Sequence, residues 1–150
     1  MTDYIVYFRH LSEEQRADVN RDGWSSPVGT AYLDSEGNRK DAPEYTGAVE
    51  FDLFEVAAVV RECADRDELW SRMQNRGANW ACEPTVRAFT DFPRSMSTGD
   101  VIHDTNTGEW SYAGTSFGFP TITDDAFIDY LRGKTTALGL DAHLSAGAAP

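Results

Sequence analysis

The sequence predicts a single compact α+β domain, a small mixed or antiparallel sheet carrying about four helices. Three observations predict it. The chain has 150 residues, the usual size of one domain. Short β-branched and aromatic runs lie on both sides of a central helical stretch, which suits α+β rather than a regular parallel wind. Apolar residues make up 41% of the chain, with 4 Trp, 6 Tyr and 8 Phe, enough for a core without disulfide or metal staples.

Tyr4-Ile5-Val6-Tyr7-Phe8 reads as a strand buried on both faces. Ser12-Glu13-Glu14-Gln15 fits a capping box that opens a surface helix to about Asn20, ended by Gly23. Val28 to Leu33 is expected to be a strand, Asp34 to Asn38 a turn, and Ala48 to Phe51 extended again. A helix is expected over 53–64, with Asp52 as N-cap and Leu53, Val56, Ala57, Val60 and Ala64 on one stripe. Asp65 and Glu68 repeat the capping signature for a helix at about 66–76, ended by Gly77.

Beyond Pro84, Val86 to Phe89 alternates. Val101-Ile102-His103 and Trp110 to Ala113 flank Asp104-Thr105-Asn106-Thr107-Gly108, a hairpin signal. A last helix is expected over about 124–132, capped by Thr123 and stopped by Gly133. This places the domain at 1–133 and a flexible tail, rich in Ala, Gly, Thr and Ser, at 134–150.

Composition bounds the function. The net charge is −12, and Arg far outnumbers Lys, a bias that GC-rich coding and salt adaptation both produce. A field of that sign repels phosphate backbones and argues against general nucleic-acid binding. Arg61, Arg66, Arg72 and Arg76 crowd one stretch, but Glu62, Asp65, Asp67 and Glu68 neutralise it. No apolar run reaches the ~20 residues of a membrane span, and the N-terminus lacks a secretory layout, so a cytoplasmic location is expected. Cys63 and Cys82, outside any CxxC spacing, are expected to be buried thiols acting as small hydrophobes.

Chemistry-bearing motifs are sparse. GxSxG, P-loop, GxGxxG and HExxH patterns do not occur, and His10, His103 and His143 lack metal-ligand spacing, so neither cofactor nor metal is expected. His103 beside Asp104 could form an acid–base unit, but neighbours on a strand point to opposite faces, and exposed strand polarity explains the histidine. Trp80 and Trp110 sit among polar residues and are expected to be partly exposed. Trp24, Trp70, Trp80 and Trp110, with Tyr112, Phe117 and Phe119, are candidates for a binding platform, although aromatics at this density more often form core, because each buries a large area.

The most specific segment is Phe92-Pro93-Arg94-Ser95-Met96-Ser97-Thr98-Gly99-Asp100-Val101-Ile102. Ser95 and Ser97 can cap backbone amides, Gly99 permits a left-handed turn, and Asp100 can bond back to the loop. With Gly118 and Phe119 after the hairpin, Ser95, Ser97, Asp100 and Val101 resemble the Ser-x-Ser-x-x-Asp-Val core and Gly-Phe pair of YodL-like domains of phage, plasmid and integrative-element proteins. The resemblance covers roughly residues 85–122 and departs from the pattern at Gly99, where a Ser is common. It implies a mobile-element origin more than an activity.

The leading expectation is therefore a non-enzymatic acidic accessory protein of a phage or mobile genetic element that binds a host or element protein, with inhibition or DNA mimicry as one way its carboxylates could act. Its acidity would steer it to a basic surface, such as the DNA-binding face of a nuclease or regulator. The expected binding residues are Trp80, Arg87, Arg94, Ser95, Ser97, Asp100, Trp110 and Phe117. One alternative is a nucleic-acid or nucleotide module in which Arg87 and Arg94 meet phosphate and aromatics stack bases. Another is a small hydrolase-type enzyme using His103 and a carboxylate.

Overall fold

The computed structural model describes residues 1–10, 54–91, 93–97, 99–113 and 118–144, together with Glu13, Ala17, Asn20 and Arg21, which are helical. The strands expected at 28–33 and 48–51, the turn at 34–38, most of the 12–20 helix, and Phe117 lie outside the described residues.

Five strands form one sheet: β1 (Thr2–Arg9), β2 (Phe54–Cys63), β3 (Val86–Ala88), β4 (Val101–Asp104) and β5 (Trp110–Tyr112). Their order is β3-β2-β1-β4-β5, and every pairing is antiparallel. β1 is central, and Tyr4 to Phe8 are all at most 3% exposed, which is why the segment is apolar without alternation.

The α+β class stands, but the expected four helices do not. Among the described residues two α-helices have defined bounds, α1 (Arg66–Arg72) and α2 (Asp125–Ala137), beside 3-10 turns at Trp80–Cys82 and Asp141–His143.

The decisive correction is at 53–64, where β2 occupies the expected helix. Val6 pairs with Ala58 but Tyr7 with Val56, so Ala57 is an extra residue in a β-bulge. Phe54, Val56 and Val59 pack on one face of the sheet, while Ala57, Ala58 and Val60 pack on the other. The bulge breaks the two-residue period, and the resulting 56, 57, 60 spacing imitates a helical stripe.

Both faces are covered. On one, Tyr4, Val6, Phe8, Val60 and Ile102 pack against Leu69 and Met73 of the α1 segment and against Trp80 and Met96. On the other, Ile5, Tyr7, Val59, Val101, Trp110 and Tyr112 pack against Phe127 and Leu131 of α2 and against Leu140. Met96 and Trp80 come from the loops between α1 and β4, so that irregular region is built into the core.

The helix ends also move. Asp65 caps α1 through the Glu68 amide at 2.8 Å, as its sequence suggests, but the helix stops at Arg72. Asp124 rather than Thr123 caps α2, accepting from the Phe127 amide at 3.1 Å. Gly133 lies inside α2, so the boundary expected at 133 falls within a helix. The chain turns instead at Gly139 (φ 71°), where the Gly139 and Leu140 amides bond to the Thr136 and Thr135 carbonyls and Leu140 is buried. Cys63 is buried, but Cys82 is exposed, since it ends a surface 3-10 turn; both are free thiols.

Candidate functional site

Two places gather the residues that the sequence singled out. The first is the loop before β4. Asp100, 1% exposed, accepts from both terminal nitrogens of Arg94 (2.9 and 2.7 Å), from the Arg9 amide (3.0 Å) and from the Ser97 amide (2.7 Å). Arg94 also donates to the carbonyls of Arg9 (3.0 Å) and Ser95 (2.8 Å), and its guanidinium lies 4.1 Å over the Phe8 ring. The Trp80 indole donates to the Arg94 carbonyl at 2.6 Å, and Ser95 Oγ accepts from the Asn75 amide at 2.8 Å beyond α1.

Gly99 has φ 93°, the left-handed turn its type permits. Trp80, Arg94, Ser95, Ser97 and Asp100 thus form one cluster in which each binds another part of the chain. It clamps the 93–100 loop to the end of β1. Arg87, exposed on the edge strand β3, is separate and lies over Phe89.

The second place is a groove of about 450 Å³ between the β4–β5 hairpin and α2. Its hairpin wall is rigid for local reasons. Asp104 Oδ1 accepts from the Asn106 and Thr107 amides (2.8 and 3.0 Å), and Gly108 turns at φ 79°. The outer edge of β5 is covered by the next segment: the Tyr112 amide donates to Pro120 and the Ile122 amide to Trp110. Asp124 then opens α2, which seats Phe127, Leu131 and Thr135 on the sheet and leaves Asp125, Asp129 and Arg132 along the groove.

The groove is lined by Glu109, Trp110, Thr121, Ile122, Asp125 and Arg132, with Gly108, Ile128 and Asp129. The lining carries three carboxylates and one guanidinium. Glu109 is held at the rim by Arg66, 3.0 Å away. Asp125 and Asp129 are exposed and enter no ion pair among the described residues, and neither does Arg132, whose buried Nε lacks a hydrogen-bond partner. Trp110 is 3% exposed and its indole N–H also has no acceptor.

Both tryptophans expected to be partly exposed are therefore buried, because each is a cross-layer core residue: Trp80 edge-on to Phe8 (5.8 Å) and Trp110 beside Tyr7 (5.5 Å). Their polar sequence neighbours do not reveal this: Asn79 spends its side chain on the Ala81 amide and the Pro93 carbonyl, and Ser111 is itself buried. His103 is likewise buried rather than exposed on a strand. Its ring lies tilted against Trp110, at a centroid distance of 4.0 Å and an interplanar angle of 32°, and is fully enclosed. Burial chiefly, and then the Arg132 charge, lower its pKa to about 4, against opposing effects of Asp104 and a hydrogen bond to the Glu109 backbone. His103 is a neutral ring at pH 7. The Asp104 carboxylate, on the opposite side of the strand, belongs to the hairpin turn.

Next to it, the Tyr7 hydroxyl and Thr135 Oγ1 are 2.5 Å apart, and Thr135 donates to the Leu131 carbonyl at 2.9 Å, so Tyr7 donates to Thr135. Burial pushes the Tyr7 phenol well up, which keeps it a neutral donor. Sequence reasoning missed the groove residues Glu109, Thr121, Asp125, Asp129 and Arg132. Only the helix-plus-hairpin layout could have joined them.

No described helix is long and apolar enough to cross a membrane, and among the described residues no group of three or more His, Cys, Asp or Glu could hold a metal ion. Comparison with protein-family models, with curated proteins and with solved structures finds no match.

Proposed function

We propose that this chain is an acidic accessory protein that acts by binding a basic protein, with the groove between the β4–β5 hairpin and α2 as its docking site. One observation carries the reading. On a chain of net charge −12, Asp125 and Asp129 stand exposed at a groove and enter no ion pair among the described residues, beside a Glu109 anchored by Arg66. Carboxylates already paired within the fold attract a partner weakly, whereas free ones on a rigid wall steer and hold a cation. The resemblance to mobile-element domains supports an accessory role, with the clamped 93–100 loop as structural support.

The test is a titration of the whole protein into a fluorescent, Arg- and Lys-containing peptide, with an acidic peptide of equal length as control. Binding of the basic peptide alone, weakening as salt rises from 50 to 300 mM on the order expected for screened charges, supports the reading. Equal binding of both peptides, or none at 50 mM salt, rejects it.

A further inference from the structure

We propose that the groove is bipolar: it binds an extended basic segment of the partner by taking a cationic side chain on Asp125 and Asp129 and a main-chain carbonyl of the same segment on Arg132, beside the Trp110 indole. The inference rests on the reading above and adds what the groove recognises.

Its origin is an anomaly. A guanidinium that shares a groove lining with three carboxylates usually pairs with one of them. Asp129 is three residues before Arg132 on the same helix, a spacing at which side chains can meet. Yet Arg132 forms no ion pair among the described residues, and its charge acts inward, on His103 and Tyr7. Its Nε is buried without an acceptor, and so is the indole N–H of Trp110, a residue 97% buried in the same wall. Those two nitrogens are closed to solvent and to a ligand alike, so the donors that remain for an acceptor supplied from outside are the terminal nitrogens of Arg132, a half-buried residue of the groove lining with no ion pair among the described residues.

Carboxylates elsewhere on the wall would repel a lone anion, which rules against a free phosphate or acetate as the natural occupant. A peptide segment satisfies both requirements, because each basic residue carries its own carbonyl. At about 450 Å³ the groove has room for more than one side chain.

The decisive variant is Arg132→Gln. If the groove were merely an acidic field, removing a positive charge would tighten binding of a cationic peptide. If Arg132 supplies hydrogen bonds to the segment, the same change weakens binding by about tenfold, the worth of a charge-assisted hydrogen bond, while Arg132→Lys keeps most of it. The probe is an N-acetylated, C-amidated peptide of alternating Gly and Arg, measured by calorimetry at 50 mM salt. Tighter or unchanged binding by Arg132→Gln overturns the proposal.

Should that variant not fold, spermine serves with the native protein. It has comparable charge and no carbonyl, so the proposal expects it to bind about tenfold more weakly than the peptide, and equal affinity overturns it. Undiminished peptide binding by an Asp125→Asn/Asp129→Asn variant would remove the groove but leave a basic partner. Loss of all peptide binding in the native protein removes both.

Discussion

Acid should unfold this protein in a way that can be traced to one ring. His103 is fully enclosed between Trp110 and the sheet, and its pKa falls to about 4 from 6.5. The unfolded chain takes up this proton as pH falls through 6.5, whereas the native chain refuses it until about 4. Between those values the unfolded state binds more protons, so stability declines as pH decreases and the decline is complete below the native pKa. At about 1.4 kcal/mol per pH unit, the interval corresponds to about 3 kcal/mol lost between pH 7 and 4. That is a large part of the 5–15 kcal/mol typical of a domain.

Urea unfolding at half-unit pH steps measures it, with His103→Gln as the reference. Gln cannot titrate, and carboxylates common to both proteins cancel in the difference. The native protein should lose about 3 kcal/mol more than the variant over this range. Parallel curves would refute the argument, and would mean that the ring is solvated or already charged at neutral pH.

Other substitutions test the packing around both clusters. Asp100→Ala leaves Arg94 without its bidentate partner and strands the Arg9 and Ser97 amides, so urea midpoints should report a loss of about 3–5 kcal/mol. Thr135→Val removes the acceptor of the buried Tyr7 hydroxyl and should cost about 1–3 kcal/mol, recovered in large part by a second Tyr7→Phe change. Asp124→Ala should cost about 1 kcal/mol through the lost α2 cap, while Thr123→Ala should leave thermal stability nearly unchanged.

Much of the fold was legible where a residue's local preference and its tertiary role agree. β1, the 101–112 hairpin and the Asp65 cap all follow from patterns a few residues long. The 93–100 loop was also read correctly as a device: Gly99 turns left-handed and Asp100 bonds back to Ser97. What could not be read is Asp100's other half, the Arg94 and Arg9 contacts, since Arg9 is 91 residues away.

β2 failed for a physical reason. A strand buried on both faces needs no alternation, and the bulge at Ala57 supplied false helical spacing. The last helix was ended at the wrong glycine because Gly133 sits at an exposed helical position where no Cβ would meet anything, so its lower propensity is tolerated. The groove was invisible for a different reason. Glu109 and Arg132 are ordinary surface types, and only the crossing of α2 over the hairpin makes them neighbours.

The central claim is that a basic segment occupies one defined wall of this protein, and amide and indole chemical-shift mapping tests it directly. Adding the Gly-Arg peptide to the ¹⁵N-labelled chain should move the signals of Glu109, Trp110, Thr121 and 125–132, including the Trp110 indole, and leave Arg87 and the 93–100 loop in place. Small shifts spread over every acidic stretch, or shifts centred on β3, would contradict it.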